Sequence, residues 1–152
     1  MASEQYQNIQ EGPITKGAVV EEFISSSSNL PRWAPVVLAA AGTNETLPRV
    51  TTTTTSNNKS VIGVSVGPNR SSGYCADNAG DSVQVVTFGA TKCKVLGSSS
   101  TIAIGTVLET SATAGNAQAA TSGDKNGFAV ALYAGTNDGD IIPVYVKGGI
   151  TG

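Results

Sequence analysis

Gly80-Asp81-Ser82-Val83-Gln84-Val85-Val86-Thr87-Phe88-Gly89-Ala90-Thr91-Lys92-Cys93-Lys94-Val95 is the stretch whose reading decides the fold. It holds two apolar-alternating runs separated by Gly89. In an extended chain Val83, Val85 and Thr87 point one way and Gln84, Val86 and Phe88 the other, because side chains alternate across a strand with a period of two. Beyond the glycine, Cys93 and Val95 alternate with Lys92 and Lys94. The pattern predicts a β-hairpin hinged at Gly89, with one wet face that carries the two lysines.

The rest of the composition agrees with a β protein. Eighteen glycines, repeated Val, Ile and Thr runs, and polarity supplied by Ser, Thr and Asn point to an all-β chain with many turns. At 152 residues the chain fits one domain. A domain of that size buries roughly 68–70% of its unfolded surface, enough for a core without metal or disulfide. Charged residues make up 13% and the net charge is −2, so neither nucleic acid nor an anionic membrane is expected as a partner. No apolar run reaches the 18 or more residues of a membrane span. Met1-Ala2-Ser3-Glu4-Gln5-Tyr6-Gln7 lacks the basic start of a signal peptide, which makes folding in a cytoplasm the expectation. Cys75 and Cys93 are then expected as reduced, small hydrophobes. A disulfide between them stays open, because sequence does not give their separation.

Residues 1–30 differ from the remainder and read as an extended N-terminal arm, with a β-domain over residues 31–152. Val19, Val20, Phe23 and Ile24 form a short apolar patch, and Ser25-Ser26-Ser27-Ser28-Asn29 reads as a flexible tether. The patch is expected to anchor on a neighbouring subunit; a frayed terminus is the alternative. Trp33 stands between Pro31 and Pro35 at the domain entrance, where core or subunit interface is expected. Strands are expected around Val36-Val37-Leu38, the threonine run Thr51–Thr55, Val61–Val66, Thr106–Glu109, Ala117–Ala120, Gly127–Tyr133 and Ile141–Val146. Pro143 predicts an edge or a bulge in the last of these, since it cannot donate to a ladder.

Laid side by side, these segments form an internal repeat. Val36-Val37-Leu38 answers Thr106-Val107-Leu108, and Arg49-Val50-Thr51-Thr52 answers Ala117-Gln118-Ala119-Ala120. Ile62-Gly63-Val64-Ser65-Val66 answers Phe128-Ala129-Val130-Ala131-Leu132. Gly80-Asp81 ahead of Val83-Gln84-Val85 answers Gly139-Asp140 ahead of Ile142-Pro143-Val144. The reading is a compact, barrel- or sandwich-like domain built from two similar strand units.

Catalytic chemistry is not visible. The chain has no histidine, which excludes Ser-His-Asp and Cys-His arrangements and His-based zinc sites. The cysteines lack CxxC spacing, and the glycine-rich segments do not open an amphipathic helix as phosphate-binding loops do. Asn137-Asp138-Gly139-Asp140 offers oxygen ligands at short spacing but lacks the order and distal glutamate of an EF-hand, and reads as an Asx-rich turn. The acids fall in expected loops and turns, with no aromatic sugar platform beside them. No catalytic residue, cofactor or metal is expected.

The succession Val61-Ile62-Gly63-Val64, Gly80-Asp81-Ser82-Val83-Gln84-Val85-Val86, Gly89-Ala90-Thr91-Lys92-Cys93-Lys94-Val95, Ile104-Gly105-Thr106-Val107-Leu108, Gly127-Phe128-Ala129-Val130-Ala131-Leu132 and Gly139-Asp140-Ile141-Ile142-Pro143-Val144 resembles the head decoration (cement) proteins of tailed bacteriophages, the β-tulip group. The resemblance covers about residues 33–147 and leaves out residues 1–30 and the threonine run. It implies a β-tulip fold and a virion protein on the outer surface of an icosahedral capsid, made in the host cytoplasm. It further implies a homotrimer at three-fold positions that clamps neighbouring major capsid subunits and stabilises the shell. A different structural or adhesive β-module, such as a tail, fibre or surface-layer component, is the alternative. Val19, Val20, Phe23, Ile24 and Trp33 are the expected capsid or subunit contacts. Lys92 and Lys94 are the candidates for an acidic capsid surface.

Overall fold

The computed structural model describes residues 17–121 and 126–147. The strands are β1 (Val19–Ser25), β2 (Leu30–Pro31), β3 (Pro35–Ala39), β4 (Arg49–Thr51), β5 (Val61–Gly67), β6 (Tyr74–Ala76), β7 (Ser82–Leu96), β8 (Val107–Thr110), β9 (Ala117–Ala119), β10 (Ala129–Ala131) and β11 (Asp138–Val146). The described residues contain no helix. Nine strands form one sheet in the order β1-β4-β3-β5-β7-β11-β10-β8-β9, with further pairings β1–β7 and β7–β9. Those two pairings close it into two five-stranded rings: β7-β1-β4-β3-β5, and β7-β11-β10-β8-β9. The strand common to both is β7.

The hairpin expected at Gly89 is therefore not a hairpin. Residues 82–96 run as one strand, whose first half pairs with β1 and β5 and whose second half pairs with β11. The strand is nevertheless broken in phase. Val19 lies opposite Phe88 and Val20 opposite Val86, so Thr87 is an extra residue, a β-bulge. That extra residue shifts the alternation by one. Val86 and Cys93, an odd number of residues apart, consequently enter the same core cluster. Gly89 follows the bulge with φ 106°, and a Cβ there would stand 2.7 Å from the Cα of Ala18. Only glycine meets both requirements.

The rings are built alike. In ring one Val64 lies opposite Val86 and Ser65 opposite Val85; in ring two Val130 lies opposite Tyr145 and Ala131 opposite Val144. Phe23 faces Val83 as Cys93 faces Ile142, and Val36 faces Gly63 as Leu108 faces Ala129. Even the one parallel pairing in each ring recurs, Ser25 beside Val50 and Val95 beside Ala117. Two matches expected from the sequence, β5 with β10 and the Gly-Asp turns with their strands, hold residue for residue. The other two slide: β3 matches β8 two residues further on (Val36 with Leu108), and β4 matches β9 one residue off (Val50 with Ala117). The fifth pair, β1 with the second half of β7, is absent from the expected repeat.

Each ring has its own core. Phe23, Val36, Val50, Val83 and Val85 fill the first, joined by Leu30 of β2 and by Cys75 and Ala76 of β6. Their equivalents Cys93, Leu108, Ala117, Ile142 and Val144 lie in the second cluster. That cluster also takes Val64, Val66 and Val86 from ring one, which joins the two halves through a continuous apolar layer. Burying a Val or Leu side chain fully is worth about 1.5–3 kcal/mol, so these side chains are the main stabilising term.

The arm drawn over residues 1–30 needs correction where the structure describes it. Residues 19–25 are a ring strand, and Ser25, expected in a tether, is fully buried. Its Oγ donates to the C=O of Ser27, and the N–H of Ser26 bonds Val50. The serine run is a sheet corner whose backbone is bonded by Ser25 Oγ at Ser27, by Val50 at Ser26 and by Asp77 at Asn29. Residues 1–16 lie outside the described residues. The threonine run also departs from expectation, since β4 ends at Thr51. Pro143 lies within β11, between β7 and β10; its C=O accepts from Leu132 just beyond the end of three-residue β10, so its nitrogen faces no ladder partner.

Candidate functional site

The outward face of the β7–β11 ladder carries Lys92 and Lys94, with Trp33 beside them. Ala90, Lys92 and Lys94 lie opposite Tyr145, Pro143 and Ile141 in one row, while Thr91, Cys93 and Val95 turn inward and are buried. One end of the row is basic and the other apolar.

The basic end is organised by Trp33, in the turn between β2 and β3. Its N–H donates to the C=O of Ser65 at 2.7 Å, and its C=O accepts from the N–H of Lys94 at 2.8 Å, which ties ring one to ring two. The indole is half-buried and packs against the second core cluster. Arg32 lies over the ring with its guanidinium carbon 4.2 Å from the centroid, and its Nε donates to the C=O of Val66 at 2.8 Å. Lys92 Nζ is 5.6 Å from the same centroid. Pro31, Arg32, Trp33, Asn69, Gly73, Tyr74, Lys94 and Ile141 line a shallow cleft of about 340 Å³.

The apolar end surrounds Gly89. Val19 faces Phe88 across the β1–β7 ladder, and Phe88 meets Tyr145 edge to face with ring centroids 5.7 Å apart. Val19, Val20, Phe88 and Tyr145 are each 40–45% exposed.

The expected contacts are thus divided. Trp33, Lys92 and Lys94 come together; Val19 and Val20 stay at the surface. Phe23, expected as a docking anchor, is 7% exposed and belongs to the ring-one core. Ile24 is half-buried, opposite Ser82 and beside Arg49. Sequence reasoning missed Arg32, Tyr74, Phe88 and Tyr145 as surface residues. The adjacency of Arg32 to Trp33 was a usable signal for the first; Phe88 depends on where the bulge sets the phase, and Tyr74 on β6 and Tyr145 on β11 carried no local signal.

Titrating groups elsewhere are occupied with structure. Asp140 Oδ2 accepts the N–H groups of Asn137 and Thr136, which hold its carboxyl below the usual range. Asp138 accepts from Ser99 Oγ and from the N–H groups of Ser98 and Ser99, with the same effect. Among the described residues no group of three or more His, Cys, Asp or Glu gathers as a metal site. Cys75 and Cys93 are free and lie in different core clusters. Burial raises their thiols, Cys75 to about 11 and Cys93 to about 12.

No protein-family model matches the chain, and no curated protein does. Among solved structures it is similar to the N base of head fiber gp8.5 in bacteriophage phi29, with a TM-score of 0.52 and 17% identity over 84% of this chain and 92% of that one. At that identity the likeness is one of fold.

Proposed function

We propose that this chain is a structural, non-enzymatic component of a bacteriophage virion that sits on the outside of the head. The observation that supports this reading most is the fold shared over 84% of the chain with the base of a head fiber. The decoration-protein resemblance of residues 33–147 points to the same setting. In this reading the β7–β11 face and the Val19–Phe88–Tyr145 patch contact the major capsid protein and neighbouring copies. The chain acts as a homotrimer that clamps adjacent capsid subunits. Many copies, each with a modest interface, then stabilise a shell through multivalency.

A second reading takes the solved neighbour literally: the chain is the base on which a longer fibre stands. Gel filtration combined with co-sedimentation on purified, expanded phage heads separates the two. A soluble trimer that saturates sites on heads and raises their resistance to heat supports clamping. Binding without added head stability supports a fibre base. No binding to heads overturns both.

A further inference from the structure

The cleft at Trp33 presents cations without acids. Arg49 is paired with Glu45 and Arg70 with Asp81, but no described acid pairs with Arg32, Lys92 or Lys94. No carboxylate lines the cleft. In a chain of net charge −2, that is a local excess of positive charge on one face.

We infer that this cleft binds the carboxylates of an acidic polypeptide segment, with Arg32 and Lys94 as the charged contacts. Arg32 is already fixed, by its Nε bond to Val66 and by the indole beneath it, so its remaining N–H groups are free to form a forked pair with a carboxylate at little ordering cost. The backbone of Trp33 supports a role for its side chain. Trp33 has φ 63° and bonds Ser65; the matching position in ring two, bonded to the matching Ala131, is Gly105 with φ 88°. Left-handed backbone disfavours a bulky L-residue, and such strain gathers where the side chain has work beyond folding. Arg32 covers a face of the indole, which closes that face to sugar stacking. Ile141 and Tyr74 on the rim, 46% and 37% exposed, suit an apolar residue next to the acid in a peptide. The inference rests on the attachment reading for where such a segment would come from, and on the cleft alone for its chemistry.

Trp33 is the only tryptophan, so its fluorescence reports on the cleft. Hexaglutamate is titrated into the full chain at about 0.01 M salt, where screening is weak, with hexaglutamine and inorganic phosphate as controls. The expected result is a saturable emission change with hexaglutamate alone. Its midpoint should move about tenfold or more in the Arg32→Gln/Lys94→Gln variant, and severalfold between 0.01 and 0.15 M salt. If the double variant loses its cooperative melt, Lys94→Gln alone and the salt series on the unaltered chain decide: a midpoint that moves in neither overturns the inference. No saturable response, an equal response to hexaglutamine, or an equal response to phosphate at matched ionic strength overturns the inference. Peptide binding without head binding overturns the attachment reading alone; head binding without peptide binding overturns the inference alone.

Discussion

Asp81 and Asp140 set the same carboxylate oxygen on the same pair of backbone N–H groups in the two rings. Asp81 Oδ2 accepts from Asp77 and Asn78, and Asp140 Oδ2 from Thr136 and Asn137. In each turn the aspartate N–H returns to the asparagine C=O, and the glycine before it has positive φ. The bond from Asn78 is the main cause that lowers the carboxyl of Asp81, and the bond from Asn137 that of Asp140. A carboxyl lowered by folding stabilises above its unfolded value, near 3.9, and that contribution fades as pH falls through the folded values. Stability should therefore be level near neutrality and decline on the acid side below about pH 4. Thermal melts from pH 6 to 2 check this, and the Asp81→Asn/Asp140→Asn variant should flatten the decline. An unchanged acid limb would contradict it.

Phe23 and Val19 lie on the same strand with opposite fates. Phe23→Ala should destabilise by about 3–5 kcal/mol, as expected for a large core side chain. Val19→Ala should change stability by less than about 0.5 kcal/mol and, on the proposed function, weaken attachment. Urea titration of both variants tests the pair. Similar effects would return β1 to the status of an arm.

Gly63 and Gly105 predict different penalties for the same methyl group. At Gly63 a Cβ would come within 2.1 Å of the Val86 carbonyl oxygen, so Gly63→Ala should force the β5–β7 ladder apart and cost about 3 kcal/mol. At Gly105 nothing lies within 4 Å and only φ opposes the change, so Gly105→Ala should cost about 1–2 kcal/mol. Denaturant midpoints of the two variants give the comparison.

Both thiols should be silent in the folded protein. Their values near 11 and 12 leave little thiolate at neutral pH, and both side chains are fully buried. Labelling with an aromatic disulfide should proceed no faster than global unfolding. Rapid modification of Cys75 without loss of structure would show that ring one opens locally.

The sequence disclosed most where local chemistry determines geometry. The Gly-Asp turns were legible because a left-handed glycine and a capping aspartate leave a residue-level signature. The β5–β10 match was legible because alternation persists through both strands. Gly89 misled because one glycine between alternating runs serves a turn and a bulge equally. The absence of a second turn residue was the available clue, since the shortest common hairpin loop needs two. The serine run misled because composition cannot show that Ser25 is buried where β1 meets β4. Lys92 and Lys94 were singled out together on one wet face, and Trp33 separately. Their convergence was not legible, because it depends on β7 passing Gly89 without reversing.

A strand that is a wall of both rings also sets how the molecule carries load. Tension applied along β7 must shear its ladders with β1, β5 and β11 together, since bonds that lie across the pull share it rather than opening one at a time. For the same reason neither a cut before β7 nor a cut after it leaves two complete rings. A cut before β7 takes a wall from ring one, and a cut after it takes a wall from ring two. The duplicated halves are fused into a single mechanical unit.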